Sequence, residues 1–393
     1  MADEDTVIIT DSDDTVTETT RQGWLGRLGG SVAGAFIGFL MLVGSIVLLS
    51  WNEGRAVDAI TALNAGAKAV QSVPADAVQP ANEGRLVHVS GPATVPGRLN
   101  DPVFNVGHPS ALRLERTVEM YQWRQNEESK SEKSVGGSET TTTTYRYVKE
   151  WSERPIDSSA FKRPDGHRNP SMPYRSAAIE ARGARLGAFA LDPSLVKQVS
   201  AFERLAPDSS AVLPQGFSWV GEQLYRGASP DQPQVGDVRV GFRVVPVQTL
   251  SVVGAQMNGT LTGFPGERGQ TINLVETGAR SADTMFQHAK SDENTLTWIL
   301  RAVGFFVMLF GVLFMASPIL WLASLLPFLE SLVGAAAFGM AVVVSVPLTL
   351  TVVAVAWLAH RPLVGAGLIV AGIVLAVLIR RVLPSRKRVA ATA

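Results

Sequence analysis

The side chains best placed to do chemistry lie in three short stretches. Val118-Glu-Met-Tyr-Gln-Trp123 puts Glu119, Tyr121 and Trp123 on one face of an alternating segment, as an acid–base carboxylate in an aromatic cleft would require. Cross-strand packing with a carboxylate at the rim uses the same pattern, and more often. Gly166-His-Arg-Asn-Pro170 holds His167, Arg168 and Asn169 between a glycine and a proline. Rigid loops of this kind carry function, but a turn whose side chains bond their own backbone needs the same residues. Val235-Gly-Asp-Val-Arg-Val240 carries Asp237 and Arg239 on one strand face. These two read as a structural ion pair, as do Glu150 or Glu153 with Arg154. Glu119, His167 and Asn169 are thus the catalytic candidates, and the balance of the reading is against an enzyme.

Other chemistries are excluded by what is missing. His88, His108, His167, His288 and His360 lack the spacing of metal ligands, so no metal is expected. With no cysteine, disulfides, thiol nucleophiles and cysteine-held clusters are ruled out. There is no phosphate-cradling glycine loop and no nucleophile elbow, and no cofactor is expected. Lys and Arg total 35, as do Asp and Glu, and without a basic patch the chain offers nothing to nucleic acid.

The elements that position these residues are dominated by membrane-length apolar runs. A bilayer core about 30 Å thick needs roughly 20 apolar residues in helix. Four segments qualify: 28–51, 298–316, 331–359 and 363–380. The piece 317–330, with Pro318, Trp321 and Pro327, suits an interfacial elbow. Gly30, Gly34 and Gly38 form a small-residue ridge on the first span that admits a second helix, from this chain or from another copy. The interiors of the spans lack ionisable residues, which argues against an ion-coupled transporter; Arg301 lies near an end, where it can snorkel.

Outside the spans, residues 1–27 are acidic and threonine-rich and read as a disordered tail. Residues 52–297 have the composition of a soluble domain. Asn52 to Gln71 is helical in pattern, and Arg85 to Gly91 is a strand ended by Gly91-Pro92. Thr117–Gln125 and Thr140–Ser152 make a long hairpin around a flexible loop from Glu127 to Glu139. A short helix is expected over Leu191 to Phe202, with Asp192-Pro193 marking its start. Strands return at Asp237–Val247 and Ser251–Phe264, and Ser281 caps a helix leading into the second span. The basic tail, 381–393, with Arg381, Arg386, Lys387 and Arg388, places the C-terminus in the cytoplasm. Four spans then put both termini inside and the β-rich domain outside.

Several motifs in order resemble one family. They are Trp51-Asn-Glu-Gly-Arg-Ala-Val57, Val118–Trp123, Gly166–Pro170, Val235–Val240 and Ala356-Trp-Leu-Ala-His-Arg-Pro-Leu363. Together they resemble the transmembrane protein 43 (LUMA) family. The matching positions are Asn52, Glu53, Gly54, Arg55, Glu119, Tyr121, Trp123, Asn169, Pro170, Asp237, Arg361 and Pro362. The resemblance implies one span, a large lumenal or extracytoplasmic domain, then three spans. It also implies self-association and, for animal relatives, residence in the endoplasmic reticulum and inner nuclear membrane with lamins and emerin as partners. It supplies no catalytic residues.

The fold class expected is an α-helical membrane protein of four spans with a large α+β, β-rich extracytoplasmic domain between spans 1 and 2. The function expected is a self-associating membrane scaffold that contacts lipid and other envelope proteins. The alternative is an enzyme or binding protein acting on lipid where the domain meets the bilayer, near Asn52 to Arg55 and Trp298. Usage heavy in Ala, Val, Gly and Arg points to a GC-rich bacterium and so to the plasma membrane. In a eukaryote the membrane would be the endoplasmic reticulum or inner nuclear membrane.

Overall fold

The computed structural model describes residues 5–12, 14–22, 24–133, 139–207, 211–323 and 327–360. The expected fourth span, 363–380, the basic tail, 381–393, and Arg361 and Pro362 lie outside them. In chain order the longer elements are β1 (Asp5–Ser12), β2 (Thr15–Gln22), α1 (Trp24–Ala69), β3 (Leu86–Thr94), β4 (Ala111–Lys133) and β5 (Glu139–Ser152). There follow β6 (Val238–Pro246), β7 (Thr249–Met257), β8 (Leu274–Thr277), α2 (Ala282–Met315), α3 (Ser317–Ala323) and α4 (Pro327–His360).

Two compact units emerge. Among the described residues a β-rich unit takes the N-terminal strands with 61–133 and 139–291, and a helical unit takes Trp24–Ile60 and 292–360. The domain expected over 52–297 is therefore narrower at both ends. Composition changes at Asn52 and at Trp298, but no Pro interrupts α1 or α2 there. Each helix continues through the change, and Asn52 to Arg55 belong to the helical unit.

The β-rich unit holds two sheets. One has nine strands in the order β1, β2, β5, β4, β6, Gln223–Arg226, Ser218–Val220, with Ala177–Glu180 added on β4 and Glu203–Arg204 on β6. Alternation decides its buried face: Leu114, Val118 and Met120 of β4 join Val238, Val240 and Phe242 of β6 around Phe104. The other sheet runs β8, β7, Thr260–Thr262, Phe189–Leu191, Arg185–Leu186, β3, Gln71–Val73, and β7 also pairs with β3. Five strands thus close into a ring, which removes their free edges. Val87, Val89, Phe189, Leu250 and Val252 form part of a buried cluster there. Met285 and Phe286 at the start of α2 pack with Leu63 and Ala67 of α1 against Leu86, Val253 and Ile272.

Several expectations need correction. The hairpin is longer than its aromatic core, because β4 continues to Lys133 and takes in most of the loop expected to be flexible. Alternating Ser, Lys and Glu extend it, with Ser129–Thr143 and Ser131–Thr141 hydroxyls paired across the strands. β3 runs past Gly91-Pro92 to Thr94. Pro92 has no N–H to offer, but its carbonyl still accepts from Gly187 N at 3.3 Å. The helix expected over Leu191 to Phe202 is a single turn that ends at Val196, while its cap and that at Ser281 behave as read. The Asp192 carboxylate accepts from Ser194 N at the start of the one-turn helix Pro193–Val196, and Ser281 Oγ accepts from Thr284 N at 3.2 Å.

The acidic tail is the largest departure. Where composition predicts disorder, β1 and β2 form a hairpin and β2 pairs with β5 from Thr15↔Arg146 to Gln22↔Glu139. Val16 is buried at 3% exposure, and Glu18 meets Lys162 at 2.6 Å. Low complexity hid a threonine-rich strand that fits the free edge of a long ribbon. This pairing and a full bilayer crossing by α1 exclude one another, since a strand bonded to β5 must lie on the same side of the membrane as β5.

In the helical unit, three of the helices among the described residues are long and apolar enough to cross a membrane: the stretches 29–69, 282–315 and 332–359. At about 1.5 Å per residue, the 46 residues of α1 far exceed a bilayer core. Phe36, Leu40 and Val47 of α1, Phe306 and Phe310 of α2, and Val343 of α4 all stand exposed, as hydrocarbon-facing residues must. The elbow expected over 317–330 contains the helical α3 and the first turn of α4.

Candidate functional site

The motif residues gather in two places. The first is the centre of the nine-stranded sheet, where the register sets Arg239 opposite Glu119 and Val238 opposite Met120. Arg239 Nε donates to Glu119 Oε2 at 2.7 Å, and its guanidinium lies 4.5 Å above the Trp151 ring. Tyr121 packs against Trp151 at 5.3 Å. Asp237 does not pair with Arg239 as expected. Its carboxylate accepts from Tyr225 OH at 2.6 Å and from Gln234 N at 2.9 Å. Burial and that carboxylate push the Tyr225 phenol up to about 12. Glu150 likewise pairs with Arg124, at 2.8 Å, and not with Arg154.

The 166–170 loop is held on the same sheet by its own polar side chains. Asn169 Oδ1 accepts from Trp123 N at 2.7 Å, and Nδ2 donates to the carbonyls of Trp123 and Ile156 at 2.9 and 3.2 Å. One amide therefore supplies both bonds that a neighbouring strand would give Trp123. His167 is buried at 3% exposure, stacked on Tyr147 at 4.0 Å and edge-on to Trp123 at 4.6 Å. Its ring nitrogens face Arg163 O and Asp14 Oδ1. Gly166 has φ +82, a turn conformation costly for a Cβ, and Pro170 packs against Gly236. The three catalytic candidates are thus each committed elsewhere: Glu119 to Arg239, Asn169 to the Trp123 backbone, His167 to an aromatic stack. A cleft of about 500 Å³ in this unit is lined instead by Thr117, Arg204, Glu222 and Arg243 among others.

The second place is in the helical unit, where Asn52, Glu53 and Gly54 are buried. Arg301 of α2 grips Glu53 with Nε and Nη2, at 2.6 and 2.7 Å. Trp357 Nε1 of α4 donates to the same carboxylate at 2.5 Å. Asn52 Nδ2 donates to Thr297 O, Arg55 Nη2 reaches Asn52 Oδ1, and Arg55 Nη1 meets Glu293 at 2.5 Å. Two opposite-sense ion pairs thereby tie α1 to α2, and the indole draws in α4. Their four charges sum to zero, and the bidentate geometry is the kind that withstands burial. Arg301 thus does not snorkel freely. Its guanidinium is paired and stacked over Trp298 at 4.8 Å.

Glycines seat the same two helices. A Cβ on Gly38 would come within 2.5 Å of Gly311 O, and one on Gly304 within 2.6 Å of Leu49. Gly34 abuts Ser317, and Gly30 faces open space. Two of the three ridge glycines therefore serve packing within one chain. Sequence reading missed Glu293, Thr297 and Arg301 as members of the polar cluster. They are about 240 residues away along the chain, and their only local signal is that Glu293 and Arg301 lie near the start of an apolar run.

Three comparisons bear on these motifs. The sequence model of transmembrane protein 43 matches residues 120–362. Mouse transmembrane protein 43 is 33% identical over 384 residues, covering 95% of this chain and 96% of that one. The human protein is 33% identical over 372 residues, 92% of each chain, and a Drosophila melanogaster homologue is 31% identical over 351 residues, 86% of this chain and 92% of its own. No solved structure matches. The likeness runs through both motif clusters, the sheet centre and the helix clamp, and the chain belongs to the transmembrane protein 43 family.

Proposed function

We propose that this membrane protein is a non-catalytic scaffold. Its helices anchor and self-associate, and its β-rich unit contacts other membrane or envelope proteins outside the cytoplasm. One observation carries the reading: Glu119, His167 and Asn169, the residues best suited to chemistry, are spent on holding the sheet together. Four spans with both termini cytoplasmic complete the proposal, supported by the basic cluster 380–388 and the positive-inside bias. That arrangement requires β2 to leave the edge of β5 on which the structure places it, and a disulfide engineered across the two strands tests it.

The decisive experiment is crosslinking in the native membrane, followed by purification of the full chain. A reproducible set of envelope proteins, or a second copy, attached through residues 111–152 is expected. Adducts confined to lipid or a small metabolite would overturn the scaffold reading. So would a Glu119→Gln/His167→Gln/Asn169→Gln variant that keeps its partners but loses an envelope lipid conversion.

A further inference from the structure

The edge of β5 that carries β2 is built to recognise a strand. Their pairing runs antiparallel from Thr15↔Arg146 to Gln22↔Glu139, and just beyond it Tyr147 N donates to Asp14 O at 3.0 Å. Main-chain bonds of this kind hold a strand with little regard for its sequence, and alternate side chains supply the selectivity. On β2 those are Asp14, Val16 and Glu18, which share one face because they follow at every second position.

Each of the three has a matching partner. Val16 is 3% exposed and lies opposite Tyr145. The Glu18 carboxylate meets Lys162 Nζ at 2.6 Å and accepts from Tyr145 OH at 3.4 Å, and Lys162 Nζ also lies 5.7 Å from the centre of the Tyr145 ring. Asp14 Oδ1 faces His167 Nε2 at 3.1 Å, and His167 is fixed by its stack on Tyr147. Lys162 and His167 both belong to the segment that follows β5. That segment reads side chains while β5 takes the backbone. What fits is an acid, a β-branched aliphatic residue and a second acid at i, i+2 and i+4.

With both termini cytoplasmic, β2 cannot occupy this edge. Nor can a second copy supply its own β2, which lies across the membrane as well. An unpaired edge is a template for another strand, and this one has Lys162 and His167 beside it. We propose that the β5 edge captures an extended segment of a different extracytoplasmic protein, one with carboxylates at i and i+4 around a β-branched aliphatic residue. The inference rests on the scaffold reading and its topology, and it deepens that reading by naming the surface and the partner's chemistry.

The test uses the full chain with Thr142→Cys, in sealed vesicles whose β-rich units face the medium. The probe is a synthetic peptide of residues 14–22 carrying Thr19→Cys. Thr19 lies opposite Thr142, so a docked peptide is trapped as a disulfide on mild oxidation, and the chain has no other cysteine. Expected is trapping whose half-saturating peptide concentration rises about tenfold with Lys162→Glu and returns when the peptide carries Glu18→Lys. Rescue by the reversed peptide separates recognition from misfolding, which no peptide charge would repair. A concentration unmoved by Lys162→Glu, or a peptide with Asp14→Ala and Glu18→Ala that is trapped as readily, overturns the acidic code. Absence of trapping overturns the proposal alone when the Thr19→Cys/Thr142→Cys chain also forms no internal bridge in intact membranes. An internal bridge there overturns the topology, and the proposal with it.

Discussion

At the scale of single residues, burial decides what a charged or polar group does. Glu53 is 1% exposed, and removing one member of a buried pair leaves the other uncompensated, at about 3–5 kcal/mol. Glu53→Ala should therefore lower the thermal unfolding midpoint of the detergent-solubilised chain sharply. Glu53→Met with Arg301→Met should recover most of the loss. If the single substitution proves neutral, the clamp is not structural. Asn169→Ala removes three bonds to the backbone of β4 and of Ile156 beyond β5, a cost of about 2–3 kcal/mol, and hydrogen exchange at the Trp123 amide should quicken. His88 Nε2 faces Arg280 O at 2.9 Å and Nδ1 faces Ser72 Oγ at 3.0 Å, contacts a neutral ring satisfies. Burial lowers its pKa below the ordinary 6.5, outweighing the Arg280 carbonyl. The unfolded chain then binds the proton more readily, so this contribution is full above about pH 6.5 and is lost as pH falls below it. His88→Gln should flatten the stability profile between about pH 7 and 5, and an unchanged profile would exclude His88 as its source. In the sequence Asn169 reads, with Glu119 and His167, as a candidate for chemistry, because residue type and spacing do not report partners.

At the scale of elements, alternation and apolar length were legible and their limits were not. The aromatic alternation of β4 and β5 showed a hairpin, but its continuation through Ser, Lys and Glu has too little apolar content to stand out. Helix α1 reads in the sequence as two pieces, a span to Trp51 and a helix over Asn52 to Gln71, and the structure joins them. Hydropathy drops at Asn52 while the helix goes on to Ala69, because hydrogen bonding along the helix is indifferent to what solvates the side chains. The glycine ridge was readable as a packing motif, and only the seating of α1 on α2 shows which glycines matter. Gly38→Ala should destabilise the pair by about 1–3 kcal/mol, since its Cβ meets a backbone carbonyl that cannot yield. Gly30→Ala, with nothing within 4 Å, should be silent. Equal effects in a heat-challenge size-exclusion assay would contradict this packing.

At the scale of the whole molecule, the N-terminal strands decide between two arrangements. Thr19 lies opposite Thr142, and cross-strand neighbours are close enough for a disulfide. The chain has no cysteine of its own, so Thr19→Cys/Thr142→Cys gives a clean reading. If α1 crosses the bilayer, oxidation of intact membranes should yield no intramolecular bridge. A bridge would place both segments on one side and overturn the arrangement with both termini cytoplasmic. The sequence by itself determined that this is a membrane protein with a β-rich unit between apolar helices, and which family it resembles. Those properties are written in local composition, in the length of apolar runs and in short motifs. Only the tertiary structure decided that Glu53 meets Arg301 and Trp357, that Asn169 serves Trp123, and that an acidic tail can complete a sheet. Each joins residues far apart in the chain, and such pairings depend on where the backbone carries them, which no local pattern encodes.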